Sequence, residues 1–145
     1  NNKKAKIEKS VKELLKEEEK FGIKKYQTYK DFAKKVYKMR DNVKKNISKL
    51  AKNNKKIIGY GSPAKATTAL NFFGISDEIE CILEDNKLKQ GKFLPGMKIP
   101  IISKKKLNSK PDYLLVLAWN FFKEIKENNK NLAKNFISIK NLEKE

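Results

Sequence analysis

After residue 54 the chain alternates short β-rich runs with helical segments, and that alternation predicts an α/β fold with a small, mainly parallel, doubly wound sheet. Ile57-Ile58 and Leu114-Leu115-Val116-Leu117 are continuous apolar runs, as strands buried on both faces require. Ahead of them, apolar residues recur at helical spacing, which predicts a two-helix hairpin before the sheet. The expected organisation is a helical lead-in over residues 1–53 and a sheet domain over 54–145.

The first helix is expected over residues 4–21, with Ile7, Val11, Leu14, Leu15 and Phe21 on one stripe and Glu and Lys on the other faces. Gly22 suits the residue just past its end. Thr28 is placed to cap a second helix with Asp31 three residues on, and Phe32, Val36, Val43, Ile47 and Leu50 form its stripe until Asn53-Asn54 stops it. Neither helix can bury such a stripe alone, so the two are expected to pack on each other and on the sheet. Strands are expected at Lys56–Tyr60, Glu80–Leu83, Tyr113–Ala118 and Phe136–Ile139, with Ile99-Pro100-Ile101 as an extended edge, since Pro100 has no ladder donor. Helices are expected at Ala64–Phe73 and Phe121–Asn129, with a polar one beginning near Ser103.

Between the first strand and its helix lies Gly59-Tyr60-Gly61-Ser62-Pro63-Ala64-Lys65. Gly59, Gly61 and Ala64 fit the G-x-G-x-x-G/A spacing of a nucleotide-binding turn, in which glycines let the backbone turn sharply and approach a diphosphate. Pro63 suits a first helical turn, whose N–H groups and dipole face an anion, and Lys65 adds a full positive charge. Glycines and a proline also punctuate ordinary connections, so these residues alone leave both readings open. Glu84-Asp85-Asn86 follows about 20 residues later, the distance at which a dinucleotide fold sets an acid on a ribose hydroxyl; an ordinary polar turn has the same composition. At the end of the most apolar strand, Trp119 can stack on a base or sugar or simply be buried, and Asn120 can donate to a phosphate or cap the next helix. The loop from Asn86 to Gly96, with Lys87, Lys89 and Lys92, reads either as a cover for an anionic ligand or as an ordinary surface loop.

Composition narrows the chemistry. The 145 residues hold 35 Lys+Arg against 17 Asp+Glu, a formal charge of +18, which is compatible with nucleic acid, an anionic surface or a phosphorylated ligand. Arg40 is the only arginine, and the lysines are dispersed along the chain as a solvated surface would have them. Histidine is absent and Cys81 is the one cysteine, which excludes Cys/His metal sites, Ser-His and Cys-His pairs and internal disulfides. Cys81 lies in the apolar run Ile79–Leu83, as a buried thiol would. With no apolar run of ~18 residues and no signal-peptide core, the sequence favours a cytoplasmic protein without a membrane partner. Lacking an initiator Met, it reads as a fragment of a longer chain.

Taken in order, Gly59–Lys65, then Asn71-Phe72-Phe73-Gly74-Ile75, Leu88-Lys89-Gln90-Gly91, Pro95-Gly96, Ile99-Pro100-Ile101 and Pro111-Asp112-Tyr113 through Ala118-Trp119-Asn120 resemble one family. They are similar to the C-terminal domain of the S-adenosylmethionine-dependent sugar C-methyltransferases. The segment with Tyr29, Phe32, Val36, Arg40 and Asp41 resembles that family's lead-in helices. Two departures stand out: the family often has Asp where Glu84 stands and Pro where Lys87 stands. The resemblance implies a Rossmann-like domain of an enzyme that methylates a carbon of a keto-deoxysugar carried on a nucleoside diphosphate, with a TDP-linked sugar as the expected partner. It places zinc, S-adenosylmethionine and the catalytic Glu-His pair in upstream domains, leaving no cofactor, no metal and no catalytic residue in this chain. The isolated domain is then expected to be inactive. Its share is a substrate site built from Gly59, Tyr60, Gly61, Ser62, Pro63, Ala64, Lys65, Glu84, Lys89, Gln90, Trp119 and Asn120. Two alternatives remain at this stage, a free-standing NAD-type dinucleotide module and a basic protein that binds nucleic acid without specificity.

Overall fold

A computed structural model describes residues 7–143. The chain divides within its second helix, into a unit ending at Lys38 and a unit beginning at Met39. In the first unit, α1 (Lys9–Phe21) ends as the sequence predicts: Gly22 is left-handed at φ 83°, and its N–H donates to the carbonyls of Glu18 and Glu19. Expected helical residues 4–6 lie outside the described residues. Two expectations fail here. None of the α1 residues is buried, and Ile7, Val11, Leu14, Leu15 and Phe21 are all exposed. Local terms such as the Lys9–Glu13 pair at i, i+4 act on the helix without burial. Thr28 is no cap either, because α2 (Tyr26–Lys52) starts two residues earlier; the Thr28 hydroxyl instead donates to the Gly22 carbonyl at 2.8 Å, and Asp31 accepts from Gln27.

The second unit is a five-stranded parallel sheet in the order β3-β2-β1-β4-β5. Its strands are β1 (Ile57–Tyr60), β2 (Ile82–Leu83), β3 (Ile101–Ile102), β4 (Tyr113–Val116) and β5 (Asn135–Ile137). Strand β1 pairs with both β2 and β4, so the direction of winding reverses between β1 and β4. Both faces are covered, as the apolar runs require. On one face Ile57, Ile82, Leu115 and Leu117 pack with Val43 and Ile47 of α2, Ala66, Leu70 and Phe73 of α3 (Ala64–Phe73), and Ile139 and Leu142 of α5 (Ile139–Leu142). On the other, Ile58, Tyr60, Cys81, Leu83 and Leu114 pack with Ala133, with Ile125 of α4 (Phe122–Asn128) against them.

Two further elements depart from expectation. Phe136–Ile139 was to be a strand, but β5 stops at Ile137 because Ser138 and Asn141 form a reciprocal capping box that starts α5. Asn42 and Asn46 of α2 donate to the carbonyls of Glu143 and Leu142 at the end of that short helix. The polar helix near Ser103 is a single 3-10 turn, Lys104–Lys106, since three successive lysines offer no apolar stripe to bury. At the amino edge of the sheet, the Asp112 carboxylate accepts from the Lys56 N–H (2.9 Å) and the Lys134 ammonium (2.7 Å), tying β1, β4 and β5 together. The opposite, carboxyl edge carries the turns described next.

Candidate functional site

Gly59 and Gly61 have different jobs. A Cβ on Gly59 would lie 3.0 Å from Ile82 Cγ1 and 3.1 Å from Leu117 Cδ1, so this glycine lets β2 and β4 close around β1. Gly61 is left-handed at φ 83° and a Cβ there would lie 3.2 Å from the Ala118 Cβ, so it makes the turn where β1 meets the end of β4. Pro63 precedes α3 with extended backbone and provides no side-chain cap. The Ala64 and Lys65 N–H groups therefore occupy a first helical turn, where no internal acceptor exists for them.

Above the turn, a cleft of about 470 Å³ opens at the carboxyl ends of β1 and β4. Of the residues the sequence singles out, Tyr60, Gly61, Ser62, Pro63, Glu84 and Lys89 line it, together with Asp85, Lys104, Phe121, Glu124 and Asn128. Lys65 and Trp119 face a second, more apolar cavity of about 500 Å³, walled by Met39, Ala69, Phe72 and Ile139. There the Lys65 ammonium sits 4.4 Å from the centre of the Trp119 ring. The first turn of α3 thus stands between the two hollows, with Pro63 lining one and Lys65 the other. Asn120 is exposed and is not the cap of α4, whose N-cap is Phe121 with no side-chain bond.

Glu84 closes much of the glycine turn. Its Oε2 accepts the Ser62 N–H at 2.9 Å and the Ser62 hydroxyl at 2.5 Å, while Oε1 accepts the Asn86 N–H at 3.0 Å. Lys89 donates to the Ser62 carbonyl at 2.9 Å and lies 4.0 Å from the same carboxylate. Burial pushes the Glu84 carboxyl upward, but the hydrogen bonds from Ser62 and Asn86 and the nearby Lys89 charge outweigh it and hold the group below its ordinary value. Gln90 donates to the Glu84 carbonyl. Lys89 and Gln90 thus fasten the loop from Asn86 to Gly96 to the strand ends, and Gly91 and Leu94 tie it back to Ile101 and Ile99.

Beside this lies a second polar group. The Tyr60 hydroxyl donates to Asp85 at 2.6 Å, and Lys104 pairs with Asp85 at 3.0 Å while lying 5.0 Å from the Tyr60 ring centre. Burial and the bond to Asp85 raise the Tyr60 hydroxyl above its usual value. Burial acts against the charged forms of Asp85 and Lys104, yet bonding within the trio lowers Asp85 and raises Lys104, so both stay charged at neutral pH. Sequence reasoning missed Lys104 and Glu124 as site residues. Their signal was position: Lys104 lies just past the carboxyl end of β3, and Glu124 in the first turn of the helix that follows β4.

Cys81 is buried, and burial pushes its thiol up to about 11, with the Glu80 charge acting in the same direction. Among the described residues no group of three or more His, Cys, Asp and Glu side chains could hold a metal ion, and no helix is long and apolar enough to cross a membrane.

Residues 1–138 match the family described as the C-methyltransferase C-terminal domain. Over 128 residues the chain is 36% identical to the C-methyltransferase NovU of Streptomyces niveus, a match that takes in 87% of this chain and 30% of that relative.

Proposed function

The chain belongs to the family of C-methyltransferase C-terminal domains, and from that premise we propose that it is the substrate-holding part of an S-adenosylmethionine-dependent nucleotide-sugar C-methyltransferase. The chain spans about a third of the length of its curated relative. In this reading the remaining length carries the methyl-donor site, the zinc site and the catalytic base. With no histidine and one buried cysteine, this chain does not itself supply a Glu-His pair or a zinc set. Bound S-adenosylmethionine supplies the methyl group; the residues here hold and orient the acceptor.

The observation that carries the reading is where the cleft above the glycine turn sits. In an open parallel sheet, ligands bind beyond the carboxyl ends of the strands where the winding reverses. Here the winding reverses between β1 and β4, and the cleft is walled by Gly61, Ser62 and Pro63 after the one and by Ala118 and Phe121 after the other. The diphosphate is taken by the first turn of α3, reached from the cleft past Pro63, through the Ala64 and Lys65 N–H groups. Asp85, Glu124 and Asn128 in the cleft suit sugar hydroxyls, which they accept as hydrogen-bond donors. Held at both ends, the acceptor carbon is presented in a fixed position, which is a proximity contribution to rate.

Trp119 is the only tryptophan and lies against Lys65, so its fluorescence reports on this corner. Thymidine diphosphate is expected to change that emission saturably, whereas NAD and S-adenosylmethionine are not. A saturable response to NAD with none to thymidine or uridine diphosphate would replace the reading with a dinucleotide module.

A further inference from the structure

We infer that Glu84 is a specificity-determining residue, a resident anion that shuts phosphate out of the glycine turn and confines it to the first turn of α3. The inference rests on the phosphate-binding reading of α3 given above. It starts from an inventory of the turn's donors. The Gly59 and Gly61 N–H groups are spent on the carbonyls of Cys81 and Leu83, and Pro63 has none to give. That leaves the Ser62 N–H and Ser62 hydroxyl, and both go to the same Glu84 oxygen.

The carboxylate is held firmly in that place. Its side chain is only 12% exposed, its other oxygen is bound by the Asn86 N–H, and Lys89 lies 4.0 Å away. Lys89 is itself fixed to the Ser62 carbonyl. A phosphate entering the turn would meet a like charge at hydrogen-bond distance from the donors it needs, and would have to displace a well-bonded carboxylate to reach them. The Ala64 and Lys65 N–H groups carry no such occupant. A ligand whose phosphates must lie over the glycines, as the pyrophosphate of a dinucleotide does in a Rossmann turn, is therefore disfavoured. One whose diphosphate reaches the helix from the side of the cleft is not. The glycine spacing on its own cannot distinguish these cases, because the deciding residue lies 22 positions beyond Ser62.

Inorganic pyrophosphate titrated into the 145-residue chain and followed by amide NMR tests this directly. In the unsubstituted protein the Ala64 and Lys65 amides are expected to move with pyrophosphate and the Ser62 amide is not. In Glu84→Ala the Ser62 amide joins them and pyrophosphate binds about tenfold tighter. Glu84→Gln, which keeps the shape and removes the charge, serves if the alanine variant is poorly folded, with an expected tightening of about threefold. A Ser62 amide that moves together with Ala64 in the unsubstituted protein, or variants no tighter than it, would overturn the inference while leaving the α3 site standing. Movement of no amide in any of the proteins would overturn both.

Discussion

Substituting Gly59→Ala separates a packing role from a ligand role for the first glycine of the turn. The added Cβ would lie 3.0 Å from Ile82 Cγ1 and 3.1 Å from Leu117 Cδ1, closer than nearly all real Cβ contacts. Both neighbours are fully buried side chains, Ile82 on β2 and Leu117 just past the end of β4, so neither can swing into solvent. Overpacking of this kind costs about 1–3 kcal/mol. The alanine also restricts the unfolded chain, which offsets about 0.4–1 kcal/mol. The expected net loss is roughly 1–2 kcal/mol, a fall in Tm of about 4–10 °C for a domain of this size. Urea unfolding followed by circular dichroism measures it. Gly91→Ala is the control, because nothing lies within 4 Å of a Cβ there and only its left-handed φ of 79° is strained, a cost of about 1–2 kcal/mol. The packing account further requires that the two variants bind thymidine diphosphate with similar affinity under folding conditions. An unchanged stability for Gly59→Ala with lost binding would refute the reasoning and return this glycine to the ligand.

Other perturbations have equally definite outcomes. Leu114→Ala removes a fully buried side chain at the centre of the sheet and is expected to cost about 2–5 kcal/mol by the same unfolding assay; a loss under 1 kcal/mol would mean the second face is not packed as described. The Glu84 carboxyl is held below its unfolded value, so the stability it contributes is present above the ordinary glutamate pKa of about 4.3 and is lost as pH falls through the lower folded value. Urea midpoints of the unsubstituted chain and Glu84→Gln should therefore differ at pH 6 and converge on acidification; a constant difference would contradict the assignment. Calorimetry with S-adenosylmethionine should show no tight binding and the isolated chain no methyl transfer, and a clear binding isotherm would overturn the placement of the donor site upstream.

Much of the fold was legible because the signals were local. The apolar runs Ile57-Ile58 and Leu114–Leu117 named both central strands, and Gly22 marked a helix end that the structure closes with a left-handed cap. What sequence could not show was decided by partners distant along the chain. Ile139 looks like the end of a strand until Ser138 and Asn141 cap a helix in front of it. The stripe of α1 has good helical period, yet periodicity says nothing about whether a covering surface is present. At the site, the glycine turn and its neighbouring acid were visible at once. Their direct bond was not, because it joins Ser62 to Glu84 across two strands. Lys89 and Gln90 were named for the site by the resemblance; the fold adds that both hold their loop to the strand ends, with Lys89 also lining the cleft. Lys65 and Trp119 were each noticed, but only the fold brings them face to face.

The central claim is that the first turn of α3, beside the cleft where β1 and β4 part, receives the diphosphate of a nucleotide-sugar. A crystal structure of the chain with thymidine diphosphate tests it most directly. The account predicts phosphate oxygens about 2.7–3.2 Å from the Ala64 and Lys65 nitrogens, with Glu84 still bound to Ser62. A diphosphate seated elsewhere on a fully ordered α3 would contradict it.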